Sequence, residues 1–190
     1  MSNTQGPFGL RPVRNLSGAA PTYQTSVYLI LSSYGSKIGT GDVVKLVSGY
    51  IQIAATTDHP ILGVFMGCEY YDTYLQKKVF TPQWVAPTTA TSPVTAYVID
   101  DTNVIFEAQS SGSAITQANI GSTVKFTGNG APNSLSGIST LAIDQTTLGS
   151  TATFPLMVTG LGLKYGNDNT SSYNTVEVKL NDQALQANNS

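Results

Sequence analysis

The hydrophobic positions of this chain fall in short runs and at alternate sites, the spacing of β-strands, and nowhere sustain the 3.6-residue period of a long amphipathic helix. Residues 23–31 form a β-rich run, Tyr23, Thr25, Val27, Tyr28, Leu29, Ile30 and Leu31, that stops at Ser32-Ser33-Tyr34-Gly35. The clearest hairpin follows: residues 43–47 and 50–54 flank Ser48-Gly49, where glycine supplies the positive φ of a tight turn. After the Asp58-His59-Pro60 turn, the apolar and aromatic run over 61–71 is interrupted by Gly63 and Gly67, which predict a bulge or a close backbone approach. Its antiparallel return is expected over 78–81 and 83–85, with Pro82 marking a bulge or an edge, and 87–93 is loop. Residues 96–99 and 104–108 predict a second hairpin around Asp100-Asp101-Thr102-Asn103, all residues that bond their own backbone.

Between 110 and 153 the chain turns polar and rich in Gly, Ser and Thr, with short strands expected at 123–126 and 139–143 and one helical turn near 116–120. Closing strands are predicted over 154–163 and 175–180, joined by the loop 164–174. Many short strands with hairpin signals make the fold all-β, a single β-barrel or β-sandwich-like domain with an extended N-terminal arm. The organisation expected is an arm over 1–22, a β domain over 23–183 in which 110–153 is a polar elaboration, and a frayed tail over 184–190. The arm carries Pro7, Pro12 and Pro21 and no regular period, yet Phe8, Leu10, Val13 and Leu16 set it apart from a purely polar tail. It reads as a segment built to lie on a surface.

Charged residues make up only 11% of the chain against about 25% in ordinary soluble domains, so surface polarity must come from Ser, Thr, Asn and Gln. Such groups pack against a partner without the cost of desolvating an ion. With a net charge of -2 and basic residues scattered apart from Lys77-Lys78, nothing attracts a phosphate backbone, and no nucleic-acid partner is expected. No run approaches the roughly 18 apolar residues of a membrane helix, and the first residues lack a basic and then apolar leader pattern, so neither a membrane span nor export is expected.

Candidate chemistry is sparse. Cys68 is the single cysteine, which excludes an internal disulfide, and reads as a small buried hydrophobe. The one histidine, His59, precedes Pro60 with Asp58 adjacent in sequence, a poor start for Ser-His-Asp catalysis. One Cys and one His cannot build a zinc tetrahedron, and Asn167-Asp168-Asn169 lacks the spaced acids of a calcium loop. Gly160, Gly162 and Gly166 have the wrong spacing for a dinucleotide fingerprint, and no phosphate-binding loop is present. A two-carboxylate glycosidase would draw on Asp42, Asp72, Asp100, Glu107 and Asp144, which nothing in the sequence pairs. Tyr34, Tyr70, Tyr71, Tyr74 and Trp84 suit either a sugar platform or cross-strand packing. The expectation is a protein that is not an enzyme, with no cofactor, metal or small-molecule substrate.

Gly6-Pro7-Phe8-Gly9-Leu10-Arg11-Pro12-Val13, then Gly41-Asp42-Val43-Val44, Gly49-Tyr50-Ile51 and Ile61-Leu62-Gly63-Val64-Phe65, resemble in their order the head-decoration (cement) and related capsid-associated structural proteins of tailed bacteriophages. The likeness covers about the first 70 residues, and residues 155–161 with the Asn-rich loop after them look similar too. The resemblance implies a virion protein made in the host cytoplasm that sits on the capsid exterior, commonly as a homotrimer, and locks neighbouring copies of the major capsid protein together. Phe8, Leu10, Arg11, Val13 and Arg14 are then the expected capsid contact. The alternative is a receptor- or glycan-binding domain of a phage fibre or tail that uses the Tyr and Trp set.

Overall fold

The computed structural model describes residues 2–20, 24–86, 90 and 94–186. Among these the chain is built from short strands: β1 (Arg11–Asn15), β2 (Ser26–Ile30), β3 (Ile38–Gly39), β4 (Val43–Val47), β5 (Tyr50–Ile53), β6 (Gly63–Asp72), β7 (Lys77–Thr81), β8 (Gln83–Trp84), β9 (Val94–Ile99), β10 (Val104–Gln109), β11 (Thr123–Thr127), β12 (Ala142–Gly149), β13 (Leu156–Leu161) and β14 (Thr175–Leu180). The expected all-β class holds. The expected turn near 116–120 is a 3-10 turn at Gln117–Asn119, and the first hairpin closes on Ser48 and Gly49, both at positive φ.

β2, β5, β4, β6 and β9 hydrogen-bond in a closed ring. Alternating directions cannot close around an odd number of strands, so one neighbouring pair must run parallel. That pair is β2–β5, while the other four contacts of the ring are antiparallel. Ile30, Val44, Ile51, Phe65, Cys68, Ala96 and Val98 fill the interior, and β8 feeds Trp84 into it. The indole Nε1 donates to the Tyr34 carbonyl at 2.9 Å, which lets a polar atom sit in an apolar core. β7 continues the ring outward from β6, and Pro82 breaks it from β8, which pairs with β3.

The second sheet runs β1-β10-β14-β13-β11-β12 and curls until Ser110, just past the end of β10, forms a parallel bridge with Ile143 of β12. Its ring order, β10-β12-β11-β13-β14, is that of the first ring, β2-β5-β4-β6-β9, strand for strand. Details repeat as well. A register shift falls between Phe65 and Gly67 on β6 and between Val158 and Gly160 on β13. The glycine ahead of β4, Gly41, has φ 93°, and the one ahead of β11, Gly121, has φ 90°. The region 110–153 is therefore no elaboration: it carries two of the second ring's strands. The second hairpin predicted from sequence is absent, because β9 closes the first ring and β10 opens the second. Residues 100–103 are a crossover, and the carboxylate of Asp100 is spent on the hydroxyls of Ser26 (2.9 Å) and Tyr28 (2.6 Å).

Each ring has its own interior, and the second core draws side chains from both units. Val43 and Val64, partners across β4 and β6, face out of the first ring and join Phe106, Val124, Phe126, Val158 and Val178 in the second core. Leu10 enters the same cluster, 1% exposed, with its amide on the Gly41 carbonyl at 2.9 Å. Gly9 is needed beside it, since a Cβ there would meet Ser139 at 2.7 Å and the Gly41 Cα at 3.0 Å, at a φ of 75°. The 128–141 loop crosses back to the first ring. There Asn129 accepts from the Val43 amide (2.9 Å) and donates to the carbonyls of Val43 (2.8 Å) and Ala54 (2.7 Å). Asp42, fully buried, accepts from the Gly39 amide (2.7 Å), the Gly130 amide (3.2 Å) and the Ser139 hydroxyl. Burial pushes its carboxyl up, and these three donors act the other way.

Residues 2–20, the described part of the arm expected over 1–22, are thus part of the domain. Pro12 obscured the strand in the sequence, but proline is tolerated in an edge strand, and the register shifts between Pro12 and Arg14. At the other end, Gln183 donates to the carbonyls of Leu62 and Asp100, each at 3.0 Å, and residues 184–186 form a 3-10 turn. The rest of the predicted frayed tail, 187–190, lies outside the described residues.

Leu10→Ala is expected to lower stability by about 3 kcal/mol in urea unfolding, the usual range for removing a buried leucine, with the β-type circular dichroism retained. Burial alone would raise the Asp58 carboxyl, but Lys45 at 2.7 Å and the Ala55 amide at 2.6 Å hold it below the usual carboxylate range. A folded-state pKa below the unfolded one gives stability that is complete at neutral pH and lost as pH falls through the folded value. Asp58→Asn should therefore lower the urea midpoint at pH 7 by an amount worth about 1 kcal/mol or less, and wild type and variant should converge in acid.

Candidate interaction surface

β1 lies antiparallel on β10, and the side chains along this junction form an ionic cluster. Glu107 and Glu177 are direct partners across β10 and β14, an unfavourable pairing of like charges. Cations from two segments offset it. Arg11 pairs with Glu107, Lys164 reaches the same carboxylate at 2.9 Å, and Arg14 meets Glu177 at 2.6 Å. Glu107 is only 3% exposed, so removing one of its partners would leave a poorly solvated charge. The Arg11 guanidinium also lies 5.0 Å from the centre of the Phe8 ring. Further back, Gln109 accepts from the Gly6 amide (2.8 Å) and donates to the Thr4 carbonyl (2.9 Å), and Asn3 donates to the Asp168 carbonyl at 2.8 Å.

Of the five residues expected to contact a partner, Phe8, Arg11 and Arg14 are gathered by this cluster, Leu10 is consumed by the core, and Val13 is half-buried. They do not form a free anchoring arm, since the segment's inner edge and its main apolar side chain are already used within the chain. Beside it, Phe8, Leu10, Pro12, Thr40, Met66 and Ile138 wall a small apolar hollow of about 150 Å³. Lys164, Glu177 and the charge pairing were not foreseen, because cross-strand register decides them and local sequence does not encode it.

Apolar side chains are displayed elsewhere on the surface. The tips of three connections carry Tyr74, Leu135 and the pair Leu163 and Tyr165, exposed by 85%, 97%, 92% and 104%. On the outer face of the first ring Val27 lies opposite Tyr97, whose ring is 6.1 Å from that of Phe80. Phe80 lies over Gly67, where a Cβ would meet its ring at 2.5 Å.

The residues able to do chemistry are scattered. Cys68 is fully buried inside the first ring with Sγ 3.3 Å from the Thr81 hydroxyl, and burial pushes its thiol up to about 11, the Thr81 contact acting the other way. His59 faces Asp182 at 3.5 Å in the turn before β6. Asp42 is locked among backbone amides, Asp72 accepts from the amides of Tyr74 and Leu75, Asp100 holds two hydroxyls, and Asp144 caps Thr146. No group of three or more His, Cys, Asp or Glu suited to a metal occurs among the described residues. The aromatic set divides: Trp84 is fully buried with Tyr70 edge-on to it at 6.2 Å, Tyr34 supports it from its backbone, and Tyr71 and Tyr74 stand on the β6–β7 hairpin. Packing accounts for the first three. No family model matches the chain, and no curated protein or solved structure is found to be similar to it.

The native protein should leave Cys68 unmodified by a thiol-specific disulfide reagent at pH 8, with one equivalent reacting after denaturation. Rapid native-state labelling would show that the first ring opens.

Proposed function

We propose that this protein is a non-enzymatic virion structural protein that binds the outside of a phage capsid, as a homotrimer, and cements neighbouring copies of the major capsid protein. The observation that carries the reading is the set of apolar side chains at the loop tips and on the first ring, presented from a tightly knit, charge-poor β scaffold. Aromatic and aliphatic groups at the centre of an interface contribute most of its energy, and few ions need desolvating to seat them. A standard interface covers about 800 Å² on each partner, which one loop tip cannot supply but several tips and a sheet face can. The resemblance of the first 70 residues to capsid-decoration proteins gives the partner. Because Leu10 is buried, the contact shifts from a free N-terminal arm to these outward residues, with Phe8 and Arg11 at its border.

Binding to the folded lattice and not to dissociated subunits stabilises the lattice by mass action. The deciding experiment is the copy number of this polypeptide relative to the major capsid protein in purified virions, by quantitative mass spectrometry. A ratio near one per capsid subunit is expected. A handful of copies per particle would point to a fibre or adhesin role instead, and absence from virions would end the virion reading.

A further inference from the structure

Because the two rings share their strand order, a position in one can be compared with its counterpart in the other. β10 corresponds to β2: the partners Val178–Phe106 match Val98–Ser26, and Glu177–Glu107 match Tyr97–Val27. In the second ring the edge of β10 away from β14 is occupied, since β1 runs antiparallel along Val104, Ile105, Phe106 and Glu107. The corresponding edge is that of Ser26 and Val27 in β2, with residues 24 and 25 just ahead of the strand. Among the described residues no strand pairs there, and β5 joins β2 only at Leu29, where Tyr50 is the partner. Val27 is 62% exposed, whereas its counterpart Glu107 is 3% exposed beneath its ion pairs.

We infer that this edge of β2 is a strand-addition site, which takes an extended segment of another protein, antiparallel to β2, with apolar side chains on its outward face. An open strand edge binds an added strand through main-chain hydrogen bonds, and neighbouring side chains select it. The second ring shows what selection means on this scaffold: Glu107 and Glu177 are matched to Arg11 and Arg14 of the strand they receive. At the edge that no described strand covers, the same two positions are Val27 and Tyr97, and Phe80, 59% exposed, extends them into one apolar row. An arginine placed there would lose hydration and find valine where the second ring has Glu107. The acid that reaches Tyr97, Glu69 at 3.5 Å from its hydroxyl, is already paired with Lys78 at 2.8 Å, so β1 of a second copy is the wrong occupant. A segment with valine, isoleucine or an aromatic at those positions lengthens the row. The inference stands on register and surface chemistry and does not require the capsid reading.

The test is hydrogen exchange of the intact chain with two synthetic peptides. One has the sequence of residues 8–16 and the other the same sequence carrying Arg11→Val and Arg14→Val. The valine peptide is expected to slow amide exchange in residues 24–28 by about tenfold or more, as a newly hydrogen-bonded strand does, and the unmodified peptide to leave it unchanged. In the Val27→Glu protein, whose substituted side chain is exposed and whose urea midpoint should match wild type, the preference should reverse. No protection at 24–28 by either peptide, or protection confined to 104–107 through displacement of β1, would overturn the inference.

Discussion

A curled sheet whose rim does not fully close needs something other than its own strands to keep water from its interior. Here the outer face of the first ring supplies it: Val43 and Val64 form part of the second core, and Leu10 enters the same cluster from the N-terminal segment. The rest of the architecture is arranged around that shared interior. Asp42 and Asn129 tie the 128–141 loop to the first ring, and the N-terminal residues are stitched between Gly41 and Leu141. One core spans both units, so neither ring can loosen at the seam without exposing apolar surface of the other.

The seam also explains the distribution of charge. With few ions available, the chain concentrates several of them around Glu107 and Glu177, where they fasten β1 to the second sheet. Elsewhere polar groups are met mostly by neutral donors and acceptors: Asn174 bonds both the amide and the carbonyl of Ile115, and Asn167 does the same for Thr175. Neutral bonds of this kind hold a β scaffold together without hydration shells that a partner would have to strip.

Strand identity was legible where alternation and turn chemistry coincide, as at Ser48-Gly49 and over 175–180. Pairing was not. The Asp100-Asp101-Thr102-Asn103 turn has hairpin composition but serves a crossover, because what decides between the two is where the flanking strands find hydrophobic partners, Val98 in one interior and Phe106 in the other. The strand at Arg11–Asn15 was hidden by Pro12, and the burial of Leu10 depends on a seam that no local window contains. The repeated ring left only a faint trace, Gly41, Val44 and Lys45 against Gly121, Val124 and Lys125, because a shared strand order asks for side chains on matching faces and not for the same side chains. The scattering of the candidate catalytic groups follows from the same point, since register and closure fix their neighbours.

The crossover at residues 100–103 has a consequence for how the two rings meet. Had they been separate polypeptides, their association would depend on concentration and would weaken on dilution. Joined by so short a connection, each ring sees the other at an effective concentration on the order of millimolar or above, whatever the concentration of the protein. Pairing of the rings therefore belongs to folding and not to assembly, and any surface built across both arrives at a partner already complete.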